Sequence, residues 1–190
     1  MSKTRTWKFW IGLLLKCGVP ILLGVILILT LLQRRLIYFP SKEREGILLP
    51  QAERAGLRPW RDRNGTLIGW RTGPADAASR PQKRLVVFHG NAGHALHRDY
   101  YVSGFHGTPE GRSAWEIYLF EYPGYGPRPG SPGEGNITDA ARHAFQELLQ
   151  DSSSPIYLLG ESLGTGFASR LAAENQKSVS GLILVTPMTC

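Results

Sequence analysis

Two regimes of hydrophobic patterning divide the chain. From Trp10 to Leu32 the stretch WIGLLLKCGVPILLGVILILTLL is almost wholly apolar, and as a helix it would reach about 34 Å, enough to cross a bilayer core. Lys16 lies within the first third of the run, where its stem can snorkel toward headgroups. Pro20 predicts a kink, which membrane helices tolerate. A cleavable signal peptide would have a shorter apolar core and a small-residue cleavage site after it, whereas here QRRLIYFPS follows, so the segment reads as an uncleaved anchor.

Beyond it the apolar runs become short. RPWRDRNGTLIGWRTGP (Arg58 to Pro74) holds two strand-like runs around Asn64-Gly65, a dipeptide that favours a tight hairpin turn. PADAASRPQ (Pro74 to Gln82) is polar and reads as a surface connection. RLVVFHG (Arg84 to Gly90), WEIYLFEYPG (Trp115 to Gly124), PIYLLG (Pro155 to Gly160) and GLILVTP (Gly181 to Pro187) are buried strands by their continuous apolar character. Between them, His94 to Gly107 is a weakly amphipathic helix. Asn136 to Gln150 is a strong one, with Asn136 as its cap and Ile137, Ala141, Ala144 and Leu148 on one face; Leu163 to Asn175 is a third. The Gly- and Pro-rich stretch Pro123 to Asn136 is an irregular loop. Apolar strands alternating with helices predict an α/β fold with a parallel sheet covered on both faces.

Charge changes the picture once it is split. Residues 1–44 hold eight basic side chains (Lys3, Arg5, Lys8, Lys16, Arg34, Arg35, Lys42, Arg44) against Glu43 alone, so they carry the whole net charge of +7. The remainder is neutral. The basic excess therefore belongs to the flanks of the apolar helix, where it meets anionic headgroups, and nucleic acid is not expected as a partner. Positive charge on both sides leaves orientation open; a cytoplasmic N-terminus, with the globular part on the non-cytoplasmic side, is the reading taken. Cys17 and Cys190 define neither a disulfide framework nor a metal site, and no cofactor is expected. The expected organisation is a basic flank (1–9), a transmembrane anchor (10–32), a juxtamembrane connector (33–57) and one globular domain (58–190).

Candidate chemistry centres on Gly160-Glu161-Ser162-Leu163-Gly164. A strand that runs into Gly-x-Ser-x-Gly and straight into a helix is a nucleophile elbow: the serine sits on a strained turn, and the glycines let neighbouring backbone approach. The Leu163 N–H, at the helix N-terminus, is then a donor for an oxyanion. A second donor is expected from the loop after an earlier strand, and VVFHGNAGH supplies it, with His89-Gly90-Asn91 closing a strand and the Asn91 N–H directed into the site. His89 is expected to shape that loop and Glu161 to orient local backbone. His94, His97 and His106 are read as surface residues, His143 as a helix-face residue, and the Tyr122–Gly126 turn is left outside the catalytic set.

These motifs, in the order RRLIYFPS, FHGNAG, EYPGYG, GESLGTG and LILVTP, resemble the α/β-hydrolase superfamily, and within it the membrane-anchored single-pass hydrolase-domain proteins. The resemblance implies that Ser162 is the nucleophile, that Asn91 and Leu163 form the oxyanion hole, and that an ester, thioester or amide is hydrolysed through an acyl-enzyme. The membrane anchor directs the substrate reading to a small acyl or lipid-like molecule. In that fold the acid and histidine follow the serine, yet between Leu163 and Cys190 there is neither Asp nor His. The family fold also continues through further strands. The chain thus reads as the N-terminal portion of a longer hydrolase, incomplete at its C-terminus and inactive by itself, since loss of a triad member can cost on the order of six powers of ten in turnover. A non-catalytic binding or scaffold module and a serine peptidase on the same fold stay open as alternatives.

Overall fold

Residues 7, 10–73 and 83–187 are described by a computed structural model of the chain. The connection expected at 74–82 and the basic flank 1–9, apart from Trp7, lie outside the described residues. The described chain divides into two units, one ending at Ile37 and one beginning at Tyr38.

The first unit is the helix Trp10–Ile37 (α1), by length and composition a candidate membrane span. Its turn Leu14–Gly18 is π-helical, with the Val19 N–H bonded to the Leu14 carbonyl. The physical reason follows two residues later: Pro20 has no N–H to donate and its ring crowds the carbonyl four residues back, and a widened turn accommodates both. No residue of Val19–Ile37 is buried, which for a run this apolar is the exposure a lipid environment requires.

The second unit runs through Phe39–Pro40 (β1), Glu45–Arg54 (α2), Leu57–Arg61 (β2), Leu67–Thr72 (β3), Lys83–Phe88 (β4) and Ala92–Gly93 (β5). A 3₁₀ turn at Ala95–Arg98 follows, then Tyr100–Phe105 (α3), Pro109–Ala114 (α4), Trp115–Phe120 (β6), Glu134–Asp151 (α5), Ile156–Glu161 (β7), Leu163–Glu174 (α6) and Val179–Val185 (β8). Six strands form one mixed sheet in the order β2-β3-β6-β4-β7-β8. β6, β4, β7 and β8 are parallel neighbours, and β3 joins β6 antiparallel, extending the sheet with the β2-β3 hairpin.

Alternation along the central strands sends successive side chains to opposite faces. Val86, Phe88, Tyr118, Phe120, Ile156 and Leu158 pack against Ile137, Ala141, Ala144, Phe145 and Leu148 of α5 and Phe167, Ala168 and Leu171 of α6. Leu85, Val87, Ile117, Leu119 and Leu159 pack on the other face against Leu48 and Ala52 of α2, Ala95, Leu96 and Val102. Continuous apolar strands are what two covered faces demand. β8 is the outermost strand, and Leu182, Ile183 and Leu184 remain 40, 38 and 42 % exposed.

Four details differ from the sequence expectation. The segment read as a connector at 33–57 contributes β1 and α2. An internal Pro50 and only two buried residues, Leu48 and Ala52, left that helix without a visible period. The hairpin loop spans Asp62–Thr66 rather than two residues: the Asp62 carboxylate accepts from the Asn64 and Thr66 N–H groups at 2.9 and 2.8 Å, and Gly65 takes φ +80°. α5 starts at Glu134, so Asn136 lies inside it and donates to the Ser131 carbonyl at 3.0 Å instead of capping. The helix expected over 94–107 splits into the 3₁₀ turn and α3, a segment too short and too glycine-bearing, at Gly104 and Gly107, to run on as one helix.

Arg84 is the buried tie of this sheet to α5. Its guanidinium donates to the carbonyls of Leu148, Ser152 (2.8 Å) and Ser154 (2.6 Å), at the C-terminal end of α5 and in the turn into β7. Methionine there would keep the bulk and orphan those carbonyls. Arg84→Met is expected to lower unfolding free energy by about 3 kcal/mol, read as a shift in denaturant midpoint at unchanged slope.

Candidate active site

At the C-terminal ends of the parallel strands, β7 passes into α6 through Ser162. Ser162 has φ 50° and ψ −117°, a left-handed conformation that a residue with a Cβ adopts only when its surroundings impose it. Those surroundings are tight. A Cβ on Gly160 would come within 2.6 Å of the Gly164 carbonyl oxygen, and one on Gly164 within 2.1 Å of the Phe88 carbonyl oxygen. The start of α6 therefore rests directly on the end of β4. The turn is held by the Ser162 N–H donating to the Val185 carbonyl at 2.9 Å, and by the Thr165 N–H and hydroxyl donating to the Ser162 carbonyl at 2.9 and 2.6 Å. Leu163 opens α6, so its N–H is among those that helix geometry leaves without an intrahelical acceptor.

The loop after β4 lies against this turn: a Cβ on Gly90 would sit 3.6 Å from the Ser162 Cβ. Three successive carbonyls of the loop are each held. The His89 carbonyl accepts from the Tyr122 hydroxyl at 2.5 Å, and the Gly90 carbonyl faces the His89 Nδ1 at 2.8 Å. The Asn91 carbonyl accepts from the Tyr125 hydroxyl at 2.7 Å and the Phe39 N–H at 2.9 Å. A carbonyl can only accept, so His89 Nδ1 carries the proton. Each trans peptide points its N–H opposite its C=O. Fixing the Gly90 oxygen thus fixes the direction of the Asn91 N–H. Gly90, the neighbour of Asn91, and Ser162, the neighbour of Leu163, thus meet where the loop after β4 lies against the turn after β7, at the C-terminal ends of two adjacent interior strands.

The buried ring of His89 stacks on Tyr122 at 3.9 Å between centroids, and its Nε2 lies 3.6 Å from the buried Glu121 carboxylate. It faces the loop's interior support. Glu121 also accepts the Ala95 N–H at 3.0 Å. The Tyr122–Gly126 turn, outside the set drawn from sequence, is the part sequence reasoning missed: Tyr122 and Tyr125 are buried behind the loop and hold it through their hydroxyls. The signal available was two tyrosines at fixed spacing in a turn, where most turns carry polar residues at the surface.

His94 corrects another expectation, for it is buried beside His97, with ring centroids 3.8 Å apart. His97 is exposed, His106 bonds the Trp115 carbonyl at 2.9 Å, and the exposed His143 lies 3.7 Å from Glu147. Burial first, then the neighbouring His97, pushes the His94 pKa below its ordinary 6.5. A folded-state imidazole that resists protonation leaves stability unchanged above 6.5; as pH falls through that value the unfolded chain takes up the proton first and the fold is disfavoured. Melting temperature is therefore expected to decline below about pH 6.5, and less steeply in His94→Gln.

Glu161, one residue before the turn, has a carboxylate mostly shielded from solvent that accepts from Arg98 at 2.8 Å, Tyr100 at 2.5 Å and Tyr101 at 3.2 Å. Burial alone would raise its pKa, but these donors outweigh it and hold the carboxyl below the ordinary range. Burial and then Glu161 push both phenols up, keeping them protonated donors at neutral pH. Among the described residues no cluster of three or more His, Cys, Asp or Glu is arranged to hold a metal ion.

A family profile described as "alpha/beta hydrolase fold" matches residues 83–190. An uncharacterized protein of Mycobacterium tuberculosis is 35 % identical over 179 residues, covering 87 % of this chain and 57 % of its own length. Protein bem46 of Schizosaccharomyces pombe is 31 % identical over 83 % of this chain and 54 % of its own. The lysophosphatidylserine lipase ABHD12 of Xenopus tropicalis is 29 % identical over 68 % of this chain and 33 % of its own. The chain spans little more than half the length of the first two relatives and a third of the lipase. Among solved structures, a carboxyl esterase from Bacillus coagulans superimposes with a TM-score of 0.50 at 20 % identity, over 67 % of this chain and 43 % of its own. TT1662 from Thermus thermophilus does so with 0.53 at 20 %, over 70 % and 60 %; at such identities the likeness establishes the fold alone. With a matching profile over more than half its residues, the chain belongs to the alpha/beta hydrolase family.

Proposed function

We propose that the protein is a membrane-anchored serine hydrolase, in which Ser162 attacks the carbonyl of a carboxylic ester or thioester and Asn91 and Leu163 donate their N–H groups to the resulting oxyanion. The observation that carries this reading is the strained Ser162 at a strand-to-helix turn, with the Gly90–Asn91 loop packed against it. In the acylation step the Oγ–C bond forms, the C–O or C–S bond breaks, and the Oγ proton passes through a base to the leaving alkoxide or thiolate. His89 is engaged with its own loop, so we assign it a positioning role rather than that of the base. Two things support a lipid-like substrate: the apolar helix Trp10–Ile37 holds the chain at a bilayer in this reading, and one relative is named a lysophosphatidylserine lipase. The globular unit is proposed to lie on the non-cytoplasmic side.

The test is covalent trapping of the full-length protein in membranes. A fluorophosphonate should form a single adduct, and peptide mass mapping should place it on Ser162. An adduct at another serine, with none at Ser162, would remove the basis of this proposal.

A further inference from the structure

The loop and the serine turn come from different strands, and one ion pair joins them. Arg98 donates through Nη2 to the Glu161 carboxylate at 2.8 Å and through Nη1 to the Ala92 carbonyl at 3.1 Å. Glu161 immediately precedes Ser162, and Ala92 immediately follows Asn91. The other Glu161 oxygen accepts from the Tyr100 and Tyr101 hydroxyls, so both of its oxygens are engaged. A Cβ on Gly90 would lie 3.1 Å from Arg98 Nη2 and 3.5 Å from Glu161 Oε1, which places the pair directly behind the loop glycine.

We propose that Arg98 and Glu161 are positioning residues that set the separation between the serine oxygen and the Asn91 N–H. The inference rests on the reading of Ser162 as the nucleophile. The tyrosine and histidine contacts described above fix the loop from its inner side but do not reach the serine turn. The Arg98–Glu161 pair does reach it. A planar guanidinium with two donors in fixed geometry can hold a carboxylate and a backbone carbonyl at once, which a lysine ammonium on a flexible stem does with far less geometric definition. Both side chains are mostly shielded from solvent, at 14 and 17 % exposure, so water competes weakly for the contact. An oxyanion donor displaced by a fraction of an ångström loses its effect on the transition state while substrate binding persists.

The experiment compares wild type, Arg98→Ala, Glu161→Gln and Ser162→Ala as full-length membrane protein. It measures the rate of fluorophosphonate labelling, kcat and KM on a short-chain aryl ester, and melting temperature. Arg98→Ala and Glu161→Gln should label and turn over about tenfold to a hundredfold more slowly, with KM unchanged and cooperative melting retained. Added guanidinium ion at millimolar concentration should restore part of the rate in Arg98→Ala and leave wild type unaffected. If Ser162→Ala is unlabelled while the other two variants react at the wild-type rate, or slow only in proportion to their unfolded fraction, the positioning role is overturned and the nucleophile stands. Ser162→Ala labelling as fast as wild type would remove the nucleophile itself, and the role of the pair with it.

Discussion

Ser162→Ala is expected to reduce ester turnover by up to about six powers of ten in the full-length enzyme, while the melting temperature stays close to wild type. Two considerations set those values. In the proposed mechanism the attacking atom is gone, and the proposed oxyanion donors alone would retain only background catalysis. The fold loses little, because alanine keeps the same backbone strain at φ 50° and the mutation removes only a half-buried hydroxyl. A companion substitution separates this account from that of an ordinary turn serine. Ser162→Gly should be equally inactive but more stable than wild type by about 1 kcal/mol, the strain relief exceeding glycine's extra unfolded-state entropy. Equilibrium unfolding beside a turnover assay reads both. A gain in stability with complete loss of activity marks strain held for chemistry; a stable Ser162→Ala that still turns over ester would exclude Ser162 as the nucleophile.

Gly164→Ala should be strongly damaging for a single methyl. The added Cβ would lie 2.1 Å from the Phe88 carbonyl oxygen, 2.6 Å from its carbon and 2.8 Å from the His89 carbonyl oxygen. All three are backbone atoms at the end of a central strand, so no rotamer change relieves the overlap. α6 must shift away from β4, and a loss of about 3 kcal/mol or more in unfolding free energy is expected. The same shift carries Ser162 away from the Gly90–Asn91 loop, so activity should fall further than stability does. Gly166 is the internal control. It lies two residues along the same helix with nothing within 4 Å of its Cβ position, and Gly166→Ala should stabilise the protein by up to about 1 kcal/mol. Denaturant midpoints of the pair test the point directly: equal effects at 164 and 166 would mean that helix propensity, not the approach of α6 to β4, governs both sites.

The contrast between those two glycines shows where sequence information stops. Gly160, Gly164 and Gly166 look alike in GESLGTG, and the pattern identifies the turn because its spacing follows from local geometry: a strand, a sharp bend, a helix. Which glycine is indispensable depends on β4, whose contact with the turn is set by the sheet order β6-β4-β7. The four parallel strands and α5 were legible for the same local reason. Their continuous apolar runs, and the period placing Ile137, Ala141, Ala144 and Leu148 on one face, record burial residue by residue. α2 was not legible, since its helix is stabilised by tertiary burial of Leu48 and Ala52 rather than by its own pattern.

By itself, then, the sequence determined the apolar helix and the α/β class, because each is announced by a continuous apolar run or by periodicity, and it pointed to Ser162, Leu163 and Asn91 as the proposed site through the glycine spacing of one turn and a loop that closes a strand. Only the tertiary structure decided what holds them together. Tyr122 and Tyr125 reach the loop across more than thirty positions, at 33 and 34 residues' separation. Arg98 meets Glu161 across 63. His94, polar and three positions before an exposed histidine in sequence, is buried beside Ala95 and Leu96, which pack on the sheet. Hydrogen bonds between residues so far apart leave no periodic trace in a single chain, since their partners are chosen by the order in which strands pair and not by the neighbours each residue has along the backbone.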